Sequence, residues 1–258
     1  MESLKNADET WLDALAQTYR GGRDVVSRGL DHREREDVQF KIPMLETLLQ
    51  VPERKLSYKF AAAEPVWMLT GSDLVEDIAP FNPAMRKFAE ENGRLFGAYG
   101  PKIIGQMSYV VDTLVNDPES RQAVINIWRE NPVRSRDIPC TLSMQFRIRD
   151  GLLNTTVNMR SSDIWLGLPY DWFTFTVVSA QVAHFFSQAA HQLGPGVLTL
   201  NAGSSHLYHS DFFRTQEVLA SATSVHQPMP LGLWKSFPTL IYWLNLQMQS
   251  REFIGWDT

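Results

Sequence analysis

Cysteine is almost absent: Cys140 is the only one in 258 residues. The chain has no disulfide to make within itself, and a reducing, cytoplasmic setting is expected. No apolar run approaches the roughly 18 residues that a bilayer-crossing helix needs. The opening residues Met-Glu-Ser-Leu-Lys-Asn hold neither a basic nor an apolar stretch, so no secretory signal is expected. Positive charge is also scarce. Lys and Arg number 24 against 29 Asp and Glu, giving a net charge of −5 and a pI near 5.7. A general nucleic-acid binder would carry a basic excess; a small anionic substrate stays compatible, because local arginines matter more than the total. Repeats, low-complexity tracts and Gly/Ser-rich linkers are missing too, which points to a single domain over residues 1–258.

What is present fits a globular chain, with 44% hydrophobic and 21% charged residues and length enough to bury a core. Trp11, Leu12, Leu15 and Ala16 predict an amphipathic helix over 8–20, ended by Gly21-Gly22. Residues 22–36 are strongly charged without a helical stripe and read as a loop or an exposed edge. Residues 56–70 predict a deeply packed helix stopping at Gly71, and 106–114 with 118–129 suggest further helix and strand. From Cys140 onward the pattern changes to strands over 141–149 and 152–160, separated by Asp150-Gly151, a strong hairpin signal. Residues 170–192 are too long and too apolar for a surface helix and predict a buried central one. A core strand over 197–202 then leads into a loop at Gly203. The expected fold class is α+β, in one domain.

A lone cysteine is either a small buried hydrophobe or a nucleophile. Its polar neighbours favour the second: Asn158-Met-Arg-Ser-Ser-Asp163, Leu166-Gly-Leu-Pro-Tyr-Asp171 and Gly203-Ser-Ser-His-Leu-Tyr208 stand where packing alone would place apolar filler. Arg160 and Ser161 offer a charged fork and a hydroxyl, suited to a phosphate monoester. Arg28 and Arg121 could add charge there, although an arginine taken alone is more often a solvated surface residue. His206 and Tyr208, at i and i+2, share one side of an extended segment and could clamp a sugar hydroxyl or be satisfied within the core. Asp163 and Asp171 flank a bend at Gly167, where a backbone can approach a flat ring closely. Glu64, inside an apolar helix, is either a paired structural carboxylate or a group of raised pKa fit for proton relay.

Taken together these segments resemble the thymidylate synthase superfamily from about residue 20 to 215. The resemblance lies in Pro139-Cys140 with Gln145-Phe146, in Arg160-Ser-Ser-Asp163 to Gly167, in Gly203 to Tyr208, and in Glu64, Trp67 and Gly71. Glu91-Asn-Gly93 with Tyr99-Gly100, and Asp117 to Arg121, complete it. It implies a fold in which a mixed sheet forms a homodimer interface around a buried central helix, and a segment 216–258 that closes over the site. It also implies 5,10-methylenetetrahydrofolate as co-substrate, a pyrimidine nucleoside monophosphate as substrate, and no metal. Cys140 becomes the nucleophile toward C6, activated by arginines that lower its pKa, and Glu64 the proton relay. Arg28, Arg121, Arg160 and Ser161 fall to the phosphate, with Arg121 crossing from the partner subunit. His206 and Tyr208 address O3′, and Trp67, Asp163 and Gly167 the folate side.

The departures point to one branch. Asp171 stands where the synthases place an Asn to read uracil, Thr141 replaces the His after the nucleophile, and Gln122 replaces a second arginine. Met85 and Phe88 stand where tryptophans are usual, and the ending Phe253-Ile-Gly-Trp-Asp-Thr258 is unlike the usual apolar tail. Asp171, Cys140-Thr141 and Val157-Asn-Met-Arg-Ser161 are similar to the deoxycytidylate hydroxymethylases. Cytosine shows an amino donor at N4 and an acceptor at N3; a carboxylate accepts from N4, and again from N3 once that is protonated. The expected activity is therefore 5-hydroxymethylation of CMP or dCMP. An atypical synthase methylating dUMP and an inactive nucleotide- or RNA-binding homologue are the alternatives.

Overall fold

The computed structural model describes residues 4–256. The first helix, α1 (Ala7–Gly21), opens on a reciprocal cap in which Asn6 accepts from the Glu9 backbone and Glu9 accepts from the Asn6 backbone. It buries Trp11, Ala14 and Leu15. Its exit needs glycine: a Cβ at Gly22 would lie 2.6 Å from the Thr18 carbonyl oxygen and 2.9 Å from that of Glu34. Of the two readings of the charged stretch 22–36, the exposed edge holds and the loop does not. The stretch forms β1 (Arg23–Ser27) and the first half of β2 (Leu30–Pro43), joined by Arg28-Gly29 with both φ angles positive, at 50° and 75°. That two-residue turn matches the twist of the strands it joins. Charges hide the hairpin because β1 is the sheet's edge, exposed along most of its length.

The chain continues through α2 (Tyr58–Thr70), α3 (Val75–Ile78), α4 (Gly100–Asn116), β3 (Val124–Asn126), β4 (Thr141–Arg149), β5 (Leu152–Met159) and β6 (Ser162–Asp163). It ends with α5 (Leu168–Ala189), β7 (Gly194–Tyr208), α6 (Phe212–Ser221), α7 (Leu231–Lys235) and α8 (Phe237–Gln247). The expected helices near 56–70 and 170–192 are α2 and α5. Gly71 closes α2 in the left-handed region, at φ 75°. The expected hairpin at Asp150-Gly151 joins β4 to β5 through φ angles of 53° and 72°.

The strands form one mixed sheet ordered β1-β2-β7-β5-β4-β3, with β6 pairing β7 and only the β7 pairings to β5 and β6 parallel. The crossover from β5 to β7 carries α5, which buries Trp172, Phe173, Phe175 and Phe186 almost completely. Phe146, Leu153, Val157, Leu198 and Leu200 are buried within the sheet and belong to the same core. Alternating with them, exposed and half-exposed polar residues link across four strands. Gln39 donates to Asn201 at 2.9 Å, Asn201 to Asn158 at 2.9 Å and Asn158 to Ser143 at 3.1 Å.

Gly203 does not open a loop, because β7 runs unbroken to Tyr208. Glycine is used there for close approach: a Cβ would stand 3.2 Å from the Arg160 carbonyl oxygen. Opposite it the β2 ladder skips Asp37, at φ 52°, without changing register. The segment bearing His206 and Tyr208 is therefore held on both sides, by β2 and by the short parallel strand β6.

Candidate active site

The N-terminal turn of α5, the middle of α2 and the residue before β4 converge on a cavity of about 160 Å³. That is smaller than the roughly 300 Å³ at which ligand pockets usually begin, so it has room for a reacting ring rather than a whole ligand. Glu64 and Trp67 line it from α2, Tyr99 from the start of α4, Asp137 to Cys140 from the loop ahead of β4, and Asp171 from α5. Tyr99 and Asp137 gain a place that composition alone did not assign. The Thr141 backbone donates to the Tyr99 hydroxyl at 3.2 Å, and the Gly97 backbone to Asp137 at 2.7 Å. Both bonds fix the loop that carries the thiol.

Arg160 organises that loop from β5's end. Its guanidinium donates to the carbonyls of Pro139 and Ile138, each at 3.0 Å, and lies 3.7 Å from Cys140 Sγ. The expected lowering of the thiol pKa does not result. Burial pushes it up, and although Arg160 and then Arg28 oppose this, Asp171 and Asp137 push the same way as burial. Two guanidinium charges are outweighed by desolvation and two acids.

The carboxyls are held near neutrality. Burial, aided by the Asp171 charge, raises Glu64 to about 8, while a hydrogen bond from Thr174 Oγ1 to Glu64 Oε2 at 2.9 Å works the other way. Burial, then Asp163, raises Asp171 to about 7. Asp163 is raised to about 6, chiefly by burial, against backbone bonds from Leu166 and Trp165 at 2.8 and 2.9 Å. The Gly167 and Asp171 amides continue this turn, donating to the Asp163 and Gly167 carbonyls at 3.1 and 3.0 Å.

Glu64 therefore makes stability pH-dependent. The folded chain keeps a proton there up to about 8, whereas the unfolded chain releases it near 4.5. The folded state binds more protons across that window and loses stability as pH climbs through it. Glu64→Gln removes the loss. Its stability relative to the parent should rise between pH 5 and 9 by up to about 4 kcal/mol, at roughly 1.4 kcal/mol per pH unit. Urea midpoints at pH 5, 7 and 9 check this, and a constant difference would refute it.

The remaining expected residues divide into two groups. Ser161, His206 and Tyr208 come together, with Ser161 Oγ 3.3 Å from His206 Nδ1 and the two rings edge-to-face at 5.2 Å. Burial, then the nearby His32, lowers the His206 pKa to about 4. Arg28 sits at the β1–β2 turn, close enough to Cys140 to favour its thiolate. Arg121 does not join them: it is exposed ahead of β3, its carbonyl accepting from Gln145 at 2.8 Å. Trp67 lines the cavity with its Nε1 buried and without a partner.

Within the described residues, the segment from 216 onward lines none of the Cys140 cavity; Asp257 and Thr258 lie outside them. Trp256 packs on Trp243 at 4.6 Å and donates to the Gln227 carbonyl at 2.9 Å, and Phe253 lies 5.4 Å from Tyr58. Tyr58, Gln227 and Phe253 line a second, larger groove of about 980 Å³, together with Lys55, Lys59, Phe81, Arg251 and Glu252.

Comparison with known proteins agrees with this architecture. The family profile described as thymidylate synthase matches residues 9–236, from α1 through α7. A thymidylate synthase of Pseudomonas fluorescens (strain SBW25) is 26% identical over 269 residues, spanning 91% of this chain and 93% of that one. Fold and site thus define a folate-dependent one-carbon transferase acting on pyrimidine nucleotides. The chain belongs to the thymidylate synthase family, whose members use methylenetetrahydrofolate and are typically dimeric. Among the described residues no helix is long and apolar enough to cross a membrane, and no cluster of His, Cys, Asp and Glu could hold a metal ion.

Proposed function

We propose that the chain is a cytidylate 5-hydroxymethyltransferase, converting CMP or dCMP to its 5-hydroxymethyl derivative with methylenetetrahydrofolate and water. Asp171 carries this reading: it is an acid in the Cys140 cavity that keeps its proton up to about 7. A protonated carboxyl donates to cytosine N3 while its other oxygen accepts from N4. N3 takes that proton readily, giving a charge-assisted bond and an electron-poor C6. Uracil's O4 is a far weaker base, so uracil gains neither.

Cys140 Sγ bonds to C6 as the C5–C6 double bond opens, with Arg160 as the cation that favours the thiolate and Asp171 giving its proton to N3. Glu64, which lines the same cavity with its Oε2 held by Thr174, takes the C5 proton through its ionised form, the minority below about 8. When bound, the folate supplies the one-carbon unit to C5; water then adds its oxygen at that carbon, and the Cys140–C6 bond breaks as the C5–C6 double bond re-forms. The residues present fit the folate. Trp67 offers an unpartnered Nε1 donor at the cavity, and the large groove sets Lys55, Lys59 and Arg251, against the single acid Glu252, beside aromatic rings, suited to an aromatic acid with carboxylates. In the same reading the polar sheet ladder meets a second copy, and the exposed Arg121 serves the partner's phosphate.

Incubation with dCMP, CMP and dUMP, each with methylenetetrahydrofolate, tests the proposal by product mass. A hydroxymethylated cytidylate is expected, and the ratio of kcat/KM for CMP and dCMP names the sugar. A methylated dUMP with neither cytidylate turned over would overturn it in favour of thymidylate synthesis, the activity named for the Pseudomonas relative.

A further inference from the structure

His32 belongs to none of the groups that carry the chemistry above, yet it is 5% exposed and faces the sugar-reading cluster. The β2–β7 ladder pairs His32 with Tyr208 and Glu34 with His206, so the four side chains are direct cross-strand neighbours. The His32 ring meets His206 edge-on at 5.5 Å and Tyr208 at 5.9 Å, and those two meet each other at 5.2 Å. Each of the three rings therefore braces the other two.

The hydrogen bonds around the cluster give it an orientation. His32 Nδ1 lies 3.2 Å from the Leu30 carbonyl, which places a proton on Nδ1 and fixes the ring, while Nε2 stands 3.9 Å from Glu34 Oε2, beyond hydrogen-bond distance. Ser204 Oγ holds that same carboxylate oxygen. On the far side Ser161 Oγ stands 3.3 Å from His206 Nδ1. That contact forms with either tautomer; with the serine hydroxyl as donor, the His206 proton sits on Nε2 as a donor for an incoming oxygen. Tyr208, half-exposed, carries the hydroxyl that completes the pair.

We propose that His32, its ring fixed by the Leu30 carbonyl, is a positioning residue for sugar recognition: it sets the ring planes of His206 and Tyr208 so that both address the 3′-hydroxyl of the nucleotide. The proposal rests on the nucleotide reading above and deepens it at the ribose end. His32 touches no reacting atom, so its removal should weaken ground-state and transition-state binding alike. KM then rises and kcat does not fall.

Calorimetric titration without folate, followed by steady-state kinetics, decides it with dCMP and its 3′-deoxy analogue; the corresponding uridylate pair runs in parallel so that a wrong base does not read as a wrong sugar contact. His32→Ala should weaken binding of the 3′-hydroxyl nucleotide about tenfold, as expected for the loss of two edge-to-face ring contacts, with kcat within about twofold. His32→Phe, which keeps both ring contacts, should restore most of the affinity, and the 3′-deoxy analogue should bind parent and His32→Ala equally. An equal loss for both nucleotides would mean that the substitution disturbs the hairpin generally, and would overturn the proposal. A parent that prefers the 3′-hydroxyl in both series, with His32→Ala keeping that preference, overturns the role of His32 alone. Parental indifference to the hydroxyl overturns the sugar reading beneath it.

Discussion

Cys140→Ser should abolish turnover, lowering kcat by roughly 10⁴-fold or more, as loss of a covalent nucleophile does, while leaving nucleotide affinity within a few-fold. Serine fits the space of the thiol, and the loop that carries it is held by bonds made elsewhere. Arg160 grips the Pro139 and Ile138 carbonyls, Tyr99 takes the Thr141 amide, and the Arg160 amide donates to the Cys140 carbonyl at 2.9 Å. Loss of chemistry without loss of binding or of thermal stability separates a nucleophile from a packing residue. Retained turnover would remove covalent catalysis from consideration, and an inactive nucleotide-binding homologue would be indifferent to the change. The buried thiol adds a pH signature. It ionises above its ordinary range, while Asp171 gives up its proton at about 7. The reactive combination, thiolate with protonated acid, is then a minority state. The kcat/KM profile of the parent enzyme, measured with cytidylate and saturating methylenetetrahydrofolate, should be a bell whose maximum lies between about 7 and the raised thiol pKa.

The parts of the fold that could be read in advance are those fixed by local pattern. Helix α5 declares itself through an apolar run too long for a surface, Asp150-Gly151 through the positive φ angles a two-residue turn requires, and Gly71 through its place after α2. The β1–β2 hairpin could not be read that way. An edge strand wet on both faces has no alternation to show, and its turn uses Arg28 at a position more often given to Asn or Gly. Gly203 misled for a different reason: it permits close packing against Arg160 within a strand, which looks in sequence like a turn. At the site, residue identities pointed to the cavity, but the balance of its charges did not follow from them. That Arg160 and Arg28 fail to offset burial at Cys140 depends on where Asp171 and Asp137 stand, and His32 meets Tyr208 only through the register of β2 on β7. Long-range register and depth of burial are tertiary facts.

Asp171→Asn should exchange the preferred base. An amide at this position carries a permanent donor and a permanent acceptor and gives up no proton. It can still meet cytosine's ground-state edge, donating to N3 and accepting from N4, so KM for cytidylate should change only a few-fold. It cannot protonate N3, so C6 loses its activation and kcat should fall by about 10³-fold or more, roughly 4 kcal/mol in the barrier. With uridylate the amide donates to O4 as charge develops there and accepts from N3–H. Turnover of dUMP should therefore appear where the parent shows little, and the ratio of kcat/KM values should swing by at least about 10³, the scale on which mismatched buried polar groups discriminate. The substitution also removes the Asp171 charge that adds to burial in raising Glu64, so the Glu64 carboxyl should titrate lower, and the rate limb assigned to Asp171 near 7 should vanish from the pH profile. A variant that loses both bases equally would show Asp171 to be structural. One that keeps cytidylate turnover would show that N3 is protonated from elsewhere in the cavity. Only a split between kcat and KM for cytidylate, joined to a gain with uridylate, identifies Asp171 as the group that reads and activates the base.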